Sequence, residues 1–146
     1  MAATMRSVTT GASKWAVEPA FDSGRSVASG PVAVDIVVAI EVRDEDVLID
    51  YSGSSDELEL AVNVTLPMTA SYTTYPIKLA LDPTVPNNAG CLAPIRVTAP
   101  LGSVLNCRPP TPTWGRTIIA HNLPEIVLGA LADAIGIEQQ PKLSLN

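Results

Sequence analysis

The stretch PNNAGCLAPIRVTAPLGSVLNCRPP, residues 86–110, decides how the middle of this chain folds. Two segments rich in glycine, asparagine and proline, residues 86–91 and 102–110, flank one short apolar segment, residues 95–98, which predicts a strand. These residue types fix backbone geometry and seldom carry a reaction themselves. We therefore expect this stretch to build the walls of a site whose reactive groups lie mostly elsewhere.

Upstream, the sequence predicts a β-hairpin. In residues 32–43 apolar side chains alternate with mixed ones, and residues 47–51 predict the returning strand after a turn at Asp44 and Glu45. On the other face of the first strand, Val37 and Ala39 lie beside Asp35 and Glu41. This mixture of apolar and charged residues indicates that another layer of the protein covers that face in part. Residues 1–30 are rich in Ser, Thr, Gly and Ala and predict an irregular lead-in.

Two helices are predicted on either side of the opening stretch. Residues 68–81 place Met68, Tyr72, Tyr75 and Leu79 on one stripe, and Pro76 is expected to kink or split that helix. The second is an amphipathic helix with Asn122 as N-cap and Gly136 as C′ residue, and its apolar stripe holds Leu123, Ile126, Val127, Ala130, Leu131 and Ala134. The predicted order β-β-α-β-α makes an α+β domain over residues 31–138, followed by a tail over residues 139–146.

Composition restricts the function classes. The 146 residues carry a net charge of −6 with no basic run, and 4% are aromatic, which excludes a nucleic-acid-binding surface. The longest apolar run is too short and polar to span a membrane, and no secretory signal is visible, so we expect a cytoplasmic protein. Only 16% of residues are charged against about 25% in soluble domains. This indicates either a chain that needs a partner or a packed, proline-rich monomer.

Few residues suggest chemistry of their own. His121 and Glu125 form an i, i+4 pair that could present two metal ligands, but a hydrogen-bonded histidine at a helix start is the favoured alternative. Cys91 and Cys107 match no compact zinc module, and two reduced thiols are favoured over a disulfide. No P-loop, G-x-G-x-x-G or G-x-S-x-G motif occurs.

Two further candidates each have a plain structural alternative. Asp50 ends a strand beside a glycine turn, where it could act in catalysis or cap the turn. Arg116 could bind a carboxylate, form an ordinary salt bridge or stack on Trp114.

In order along the chain, these segments resemble the hydantoinase B/5-oxoprolinase family. Residues 47–54 are similar to its D-[FY]-S-G-[ST] strand end, residues 86–91 to its P-x-N-x-G-C/S turn, and residues 99–110 to its A-P-x-G-S-x-L-N-x-R-P-P segment. Residues 129–132 look like the helix that follows. The match runs from about residue 32 to residue 135 and implies a middle section of a larger fold, since the family's N-D-P-x-x-G-G-T-H-x-x-D region is not found here.

The resemblance also implies a function. The family opens cyclic amides such as 5-oxoproline or hydantoins with ATP, or carboxylates ketones, and an A-type partner is thought to phosphorylate the carbonyl oxygen. A divalent metal is often bound in the complete enzyme, with ligands that this sequence does not identify. Carried over onto this chain, the resemblance implies catalytic roles for Asp50 and His121 and substrate-binding roles for Asn88, Asn106, Arg108 and Arg116.

Two hypotheses follow. The chain is a section or small subunit of an ATP-dependent cyclic-amide hydrolase, inactive alone and completed by an A-type subunit and the remainder of the B-type chain. The alternative is a structural module, or a subunit of an ATP-dependent ketone carboxylase complex.

Overall fold

The structure is a computed structural model, and it describes residues 7–17, 32–43 and 46–135. The elements are four strands, β1 (Ser7–Val17), β2 (Val32–Val42), β3 (Val47–Asp50) and β4 (Ile95–Thr98), and four helices, α1 (Leu66–Leu81), α2 (Ala89–Leu92), α3 (Thr117–Ala120) and α4 (Leu123–Ile135). This mixture of helices and a largely antiparallel sheet confirms the predicted α+β class.

The strands form one sheet in the order β1-β2-β3-β4. β2 and β3 pair antiparallel, with Ala39 opposite Asp50 and Val42 opposite Val47, so the predicted hairpin is confirmed. β4 lies parallel to β3, with Val47 opposite Ile95 and Asp50 opposite Thr98. Because parallel neighbours need a crossover connection, α1 lies between β3 and β4 along the chain.

The prediction of an irregular segment over residues 1–30 is wrong for Ser7–Val17, which forms β1. This strand pairs antiparallel with the whole of β2, from Ser7 opposite Val42 to Val17 opposite Val32. Its sequence lacks strict alternation, but β-branched residues such as Val8, Thr9 and Thr10 suit a strand once a long neighbour offers its backbone groups. The pairing, which single-sequence periodicity does not report, explains the difference.

The core lies between one face of the sheet and the helices α1 and α4. β2 contributes Val34, Ile36, Val38 and Ile40, each at most 1% exposed, which confirms the alternation predicted for this strand. The opposite face of β2 is mostly half-buried, as predicted. α4 buries its predicted apolar stripe, of which the described members are Leu123, Ile126, Val127, Ala130 and Leu131. Gly136 and the tail over residues 139–146 lie outside the described residues.

Helix α1 differs from the prediction in two ways. It runs unbroken through Pro76, so the proline does not split it. Its buried face also includes Thr69, Thr73 and Ile77, whereas Tyr75 of the predicted stripe is 53% exposed. The stripe prediction holds for Met68 and Tyr72, which pack against the core, and is wrong for Tyr75 and Leu79, which are exposed. Threonines take part in the buried face instead, because they can satisfy their hydroxyls by hydrogen bonding.

The threonine hydroxyls of α1 bind groups from the sheet and the loops. Thr73 Oγ1 and Tyr51 Oη lie 2.7 Å apart in the core, and Thr69 Oγ1 donates to the Leu105 carbonyl at 2.7 Å. These bonds hold α1 against the end of β3 and against the 102–107 loop. Within the described part of the chain, no helix has the length and apolarity needed to cross a bilayer.

Candidate functional site

The motif-bearing loops meet at the carboxyl ends of the parallel strands β3 and β4. The segment after β3 exchanges backbone hydrogen bonds with the segment after β4, among them Glu57 N to Gly102 O at 2.9 Å and Val64 N to Val104 O at 2.8 Å. Sheets with parallel strands commonly bind ligands at this edge. We therefore take this edge as the candidate site.

Asp50 ends β3 and binds the turn that follows it. One carboxylate oxygen accepts from Ser52 N at 3.0 Å and from Ser52 Oγ at 2.7 Å, and Thr98 Oγ1 of β4 lies 3.3 Å from the same oxygen. Gly53 then adopts a φ of 93°, a left-handed conformation that favours glycine. The carboxylate therefore caps this turn, which is the structural alternative that the sequence left open.

Ser54 and Ser55 extend the same motif along the edge of β2. Ser54 Oγ accepts from Val37 N at 3.0 Å, and Ser55 Oγ accepts from Asp35 N at 2.8 Å. Because β3 pairs only with residues 39–42 of β2, the serines satisfy backbone donors that the short strand does not reach. The sequence D-Y-S-G-S-S thus ends one strand and caps the edge of another.

Asn106 fixes the loop after β4. Its side-chain amide donates to the Ala99 carbonyl at 2.9 Å, while its backbone carbonyl accepts from Gly102 N at 2.8 Å. Ser103 pairs with Asn106 in the same turn and is 2% exposed. The amide predicted to line a pocket or fix its loops therefore holds this loop closed on itself.

Arg108 and Glu57 join the two loops through a charged pair. Arg108 N donates to Glu57 Oε2 at 2.8 Å, and its Nε and Nη2 lie 3.2 and 3.1 Å from Glu57 Oε1. The Arg108 amide and guanidinium lower the pKa of the Glu57 carboxyl. The guanidinium also lies over Gly102, which has a φ of 88°, so that a Cβ there would come 2.8 Å from Nη2.

Asn63 is a buried residue that the sequence analysis did not identify. It is fully buried, its Oδ1 accepts from Leu58 N at 2.7 Å, and its Nδ2 donates to the carbonyls of Leu58, Leu60 and Pro112. The signal was a single amide within the apolar run V-N-V at residues 62–64. Its bonds tie the segment after β3 to the segment that precedes α3.

Asn88 lies away from this edge. Its side chain accepts from Cys91 N at 3.0 Å and caps the short helix α2, which precedes the amino end of β4. Cys91 and Cys107 are free thiols, as expected, and burial raises the pKa of the Cys107 thiol. Asn88 of the predicted substrate-binding set therefore lies before the amino end of β4, whereas Asn106 and Arg108 follow its carboxyl end.

Arg116 and His121 flank helix α3. Arg116 is exposed, and its Nη1 donates to the Thr113 carbonyl at 3.3 Å. The His121 ring lies against Tyr72 of α1, with centroids 5.5 Å apart and planes inclined by 39°. Asn122 directly precedes α4 as predicted, and its side-chain amide donates to the Ile118 carbonyl at 2.7 Å.

The described side chains do not fit the metal that the resemblance implies. Within residues 7–17, 32–43 and 46–135, no three His, Cys, Asp or Glu side chains are grouped to hold a metal. The Lys and Arg side chains that the structure describes all contact protein groups. Three of them form ion pairs with carboxylates: Arg43 with Glu41, Arg96 with Asp46, and Arg108 with Glu57. The other two donate to backbone carbonyls, Lys78 to that of Pro83 and Arg116 to that of Thr113. The described polar groups at this edge hold its loops in place.

Comparison with known proteins places this geometry in context. Residues 1–142 match the model of a family described as hydantoinase B/oxoprolinase. The chain is 28% identical over 110 residues to a 5-oxoprolinase of Pestalotiopsis fici, covering 75% of this chain and 8% of that protein. It is 29% identical over 107 residues to a Pseudomonas protein named as the B-type subunit of a D-/L-hydantoinase, covering 68% of this chain and 18% of that one.

A solved structure shares the fold. The crystal structure of an ATP-dependent caprolactamase from Pseudomonas jessenii aligns with a TM-score of 0.67 at 18% identity, covering 90% of this chain and 21% of that one. The chain thus spans about a fifth or less of the length of each protein compared here.

Proposed function

Because the chain belongs to the hydantoinase B/oxoprolinase family, we propose that it forms one section of an ATP-dependent hydrolase that opens cyclic amides. The observation that carries this proposal is the family match over residues 1–142. The relatives support it, because 5-oxoproline, hydantoins and caprolactam, for which they are named, all contain a ring amide. None of the three is named a carboxylase, so we do not propose ketone carboxylation.

In this proposal the chain positions loops and does not itself activate the substrate. An amide carbonyl is a poor electrophile, and ATP supplies the activation that hydrolysis of a stable ring amide needs. The described residues include no group of side chains that fits a metal. We assign binding of the metal and of ATP to the remainder of the B-type polypeptide and to an A-type partner. The word "subunit" in the name of the Pseudomonas relative supports such a partner. The need for ATP favours the cytoplasm as the place where the complex works.

The contribution of this chain is the geometry of the loops beyond β3 and β4. Asp50, Asn106 and Arg108 each bind neighbouring loop atoms at 2.7–3.3 Å. We assign them to positioning, because their polar atoms face protein partners. Asn88 has the same role at α2.

Arg116 and His121 are the residues that we propose to face the substrate. Both are exposed, and both flank α3. A guanidinium can bind a carboxylate or carbonyl oxygen with two parallel hydrogen bonds, and an imidazole can transfer a proton near neutral pH. These are the groups that binding and opening a ring amide require.

The experiment combines this chain with an A-type subunit and the remainder of a B-type polypeptide and measures ATP hydrolysis. 5-Oxoproline, hydantoin and caprolactam are supplied separately, and we expect at least one of them to stimulate turnover. Arg116→Ala and His121→Ala should each lower kcat/KM at least about tenfold, because a charge-assisted hydrogen bond contributes about 1.5–3 kcal/mol.

The matched control is Arg96→Ala. Its guanidinium is 68% exposed and lies 3.9 Å from Asp46, so its removal should leave turnover unchanged. Turnover that no ring amide stimulates in the completed assembly would refute the proposed function. Full activity in both the Arg116 and His121 variants would refute only the assigned roles.

A further inference from the structure

The histidine that we propose to transfer a proton lies against an aromatic ring from another helix. His121 is the only histidine among the 146 residues, and its imidazole ring contacts Tyr72 of α1. The two ring centroids are 5.5 Å apart, and the ring planes are inclined by 39°. Aromatic rings attract one another when their centroids are separated by about 4.5–7 Å. The contact with Tyr72 therefore stabilises one orientation of the imidazole.

Tyr72 is held in place by the packing of α1. Its side chain is half-buried and packs against the hydrophobic core. The next residue, Thr73, is buried with its hydroxyl 2.7 Å from Tyr51 Oη. Three residues before Tyr72, the hydroxyl of Thr69 donates to the Leu105 carbonyl at 2.7 Å. The position of the Tyr72 ring is therefore set by the core.

The backbone that carries the imidazole is fixed as well. His121 N donates to the Thr117 carbonyl at 3.1 Å, and the two residues before it, Ile119 and Ala120, are buried. The His121 side chain is exposed, and among the described residues its ring contacts Tyr72 and no hydrogen bond holds it. An exposed side chain without such a contact exchanges between several staggered rotamers. The ring of Tyr72 therefore limits the rotamers of this imidazole.

We propose that Tyr72 positions the His121 imidazole for proton transfer during the opening of a ring amide. The contact is expected to raise the population of one imidazole orientation about two- to tenfold. Proton transfer needs the imidazole within hydrogen-bond reach of the substrate, so a ring held in one orientation reacts more often than a ring that exchanges between rotamers. Tyr72 acts through the histidine and needs no contact with the substrate. The role of His121 in this inference rests on the proposed function, whereas the ring contact is independent of it.

Nuclear magnetic resonance of the full 146-residue chain tests the contact, because a chain with one histidine gives one set of imidazole signals. The chain is prepared with isotope-labelled histidine and without a histidine tag. We expect nuclear Overhauser effects between the ring hydrogens of His121 and Tyr72. The ring current of the tyrosine should also displace the His121 signals from their values in urea at the same pH. Tyr72→Leu should move these signals toward the values in urea, whereas Tyr72→Phe, which keeps the ring, should leave them displaced.

Turnover by the completed assembly tests whether the contact serves the reaction. With a ring amide that stimulates ATP hydrolysis, Tyr72→Leu should lower kcat about two- to tenfold and leave KM nearly unchanged, because proton transfer is affected and substrate binding is not. Tyr72→Phe should retain the full kcat. In a His121→Ala background, Tyr72→Leu should cause no further loss, since Tyr72 acts through the imidazole.

Tyr75→Leu is the matched control. Tyr75 lies three residues further along α1 and is 53% exposed, so the same substitution there should leave both the His121 signals and kcat unchanged. Urea unfolding reports whether each variant is folded. If Tyr72→Leu does not fold because Tyr72 packs against the core, Tyr72→Met removes the ring and keeps a long apolar side chain.

Three results would overturn the inference. These are His121 signals that Tyr72→Leu leaves unchanged, an unchanged kcat for Tyr72→Leu in an active assembly, and the same proportional loss of kcat from Tyr72→Leu in the His121→Ala background. An assembly that no ring amide stimulates would refute the proposed function and, with it, the role of Tyr72 in that reaction. Unchanged spectra would refute the ring contact alone, so the two failures are distinguishable.

Discussion

The substitution Gly102→Ala, which adds one methyl group, tests the geometry of the loops at the candidate site. Its φ of 88° is unfavourable for any residue with a Cβ, at a cost of about 1–2 kcal/mol. A Cβ would also lie 2.8 Å from Arg108 Nη2 and 3.0 Å from its Cζ and Nε, so the end of this flexible side chain must shift from its position beside Glu57. Gly102→Ala is therefore expected to destabilise the chain mainly through the backbone, with a smaller further cost from the displaced arginine.

Gly53 separates these two contributions. It has a φ of 93°, but the nearest atoms to its Cβ position belong to Val37 at 3.8–3.9 Å, which is ordinary contact. Gly53→Ala should therefore show the backbone cost alone, and Gly102→Ala should exceed it. For a chain of this length each kcal/mol lowers Tm by roughly 2–4 °C, so the backbone cost alone corresponds to roughly 2–8 °C.

The assay is urea and thermal unfolding of the 146-residue chain, followed by circular dichroism. Gly129→Ala is the control of opposite sign, because nothing lies within 4 Å of its Cβ position in α4 and alanine favours a helix by about 0.5–1 kcal/mol. In an Arg108→Ala background the extra cost of Gly102→Ala should vanish. If Gly102→Ala were no more destabilising than Gly53→Ala, the proposed contact between Arg108 and Gly102 would be refuted.

Two further predictions concern buried polar groups. Asn63→Ala should lower the free energy of unfolding, measured by urea titration, by about 2–4 kcal/mol. The reason is that several backbone groups bonded to this fully buried amide lose their partner. A decrease of less than about 1 kcal/mol would contradict this role. Burial raises the pKa of Tyr51 from 10.0 to about 12, so the folded state holds the phenolic proton more tightly and stability should fall as pH rises from about 10 to 12. Tyr51→Phe should remove this part of the pH dependence, whereas Tyr75→Phe at an exposed position should keep it.

The periodicity of apolar residues predicted correctly those helices and strands that pack against an apolar core. The alternation in β2 and the helical spacing in α4 correspond to faces that pack on one continuous core, so pattern and burial agree. At α1 the same logic holds only for Met68 and Tyr72, which pack against the core. It missed Thr69 and Thr73, which are buried because the Leu105 carbonyl and the Tyr51 hydroxyl satisfy them. It also missed β1, whose formation depends on pairing with β2 along its full length.

For the site, the sequence predicted which residues shape the loops but not their partners. Turn chemistry identified Asp50 and Asn106, since such residues act on neighbours a few positions away, at Ser52 and Ala99. The Arg108–Glu57 pair spans 51 residues, and the bonds of Ser54 to β2 span 17. The first contact depends on the crossover between β3 and β4, which no local pattern contains, and the second depends on the register of the β2–β3 hairpin.

Calorimetric titration of the 146-residue chain alone with Mg²⁺-ATP, and then with Zn²⁺ and Mn²⁺, tests most directly whether these residues form a scaffold that binds neither the nucleotide nor a metal. We predict no heat of specific binding for the nucleotide or for either metal, because the described cations contact protein groups and no three metal-ligating side chains are grouped among the described residues. Saturable binding of the nucleotide, or of one metal at one equivalent, by this chain alone would contradict that account.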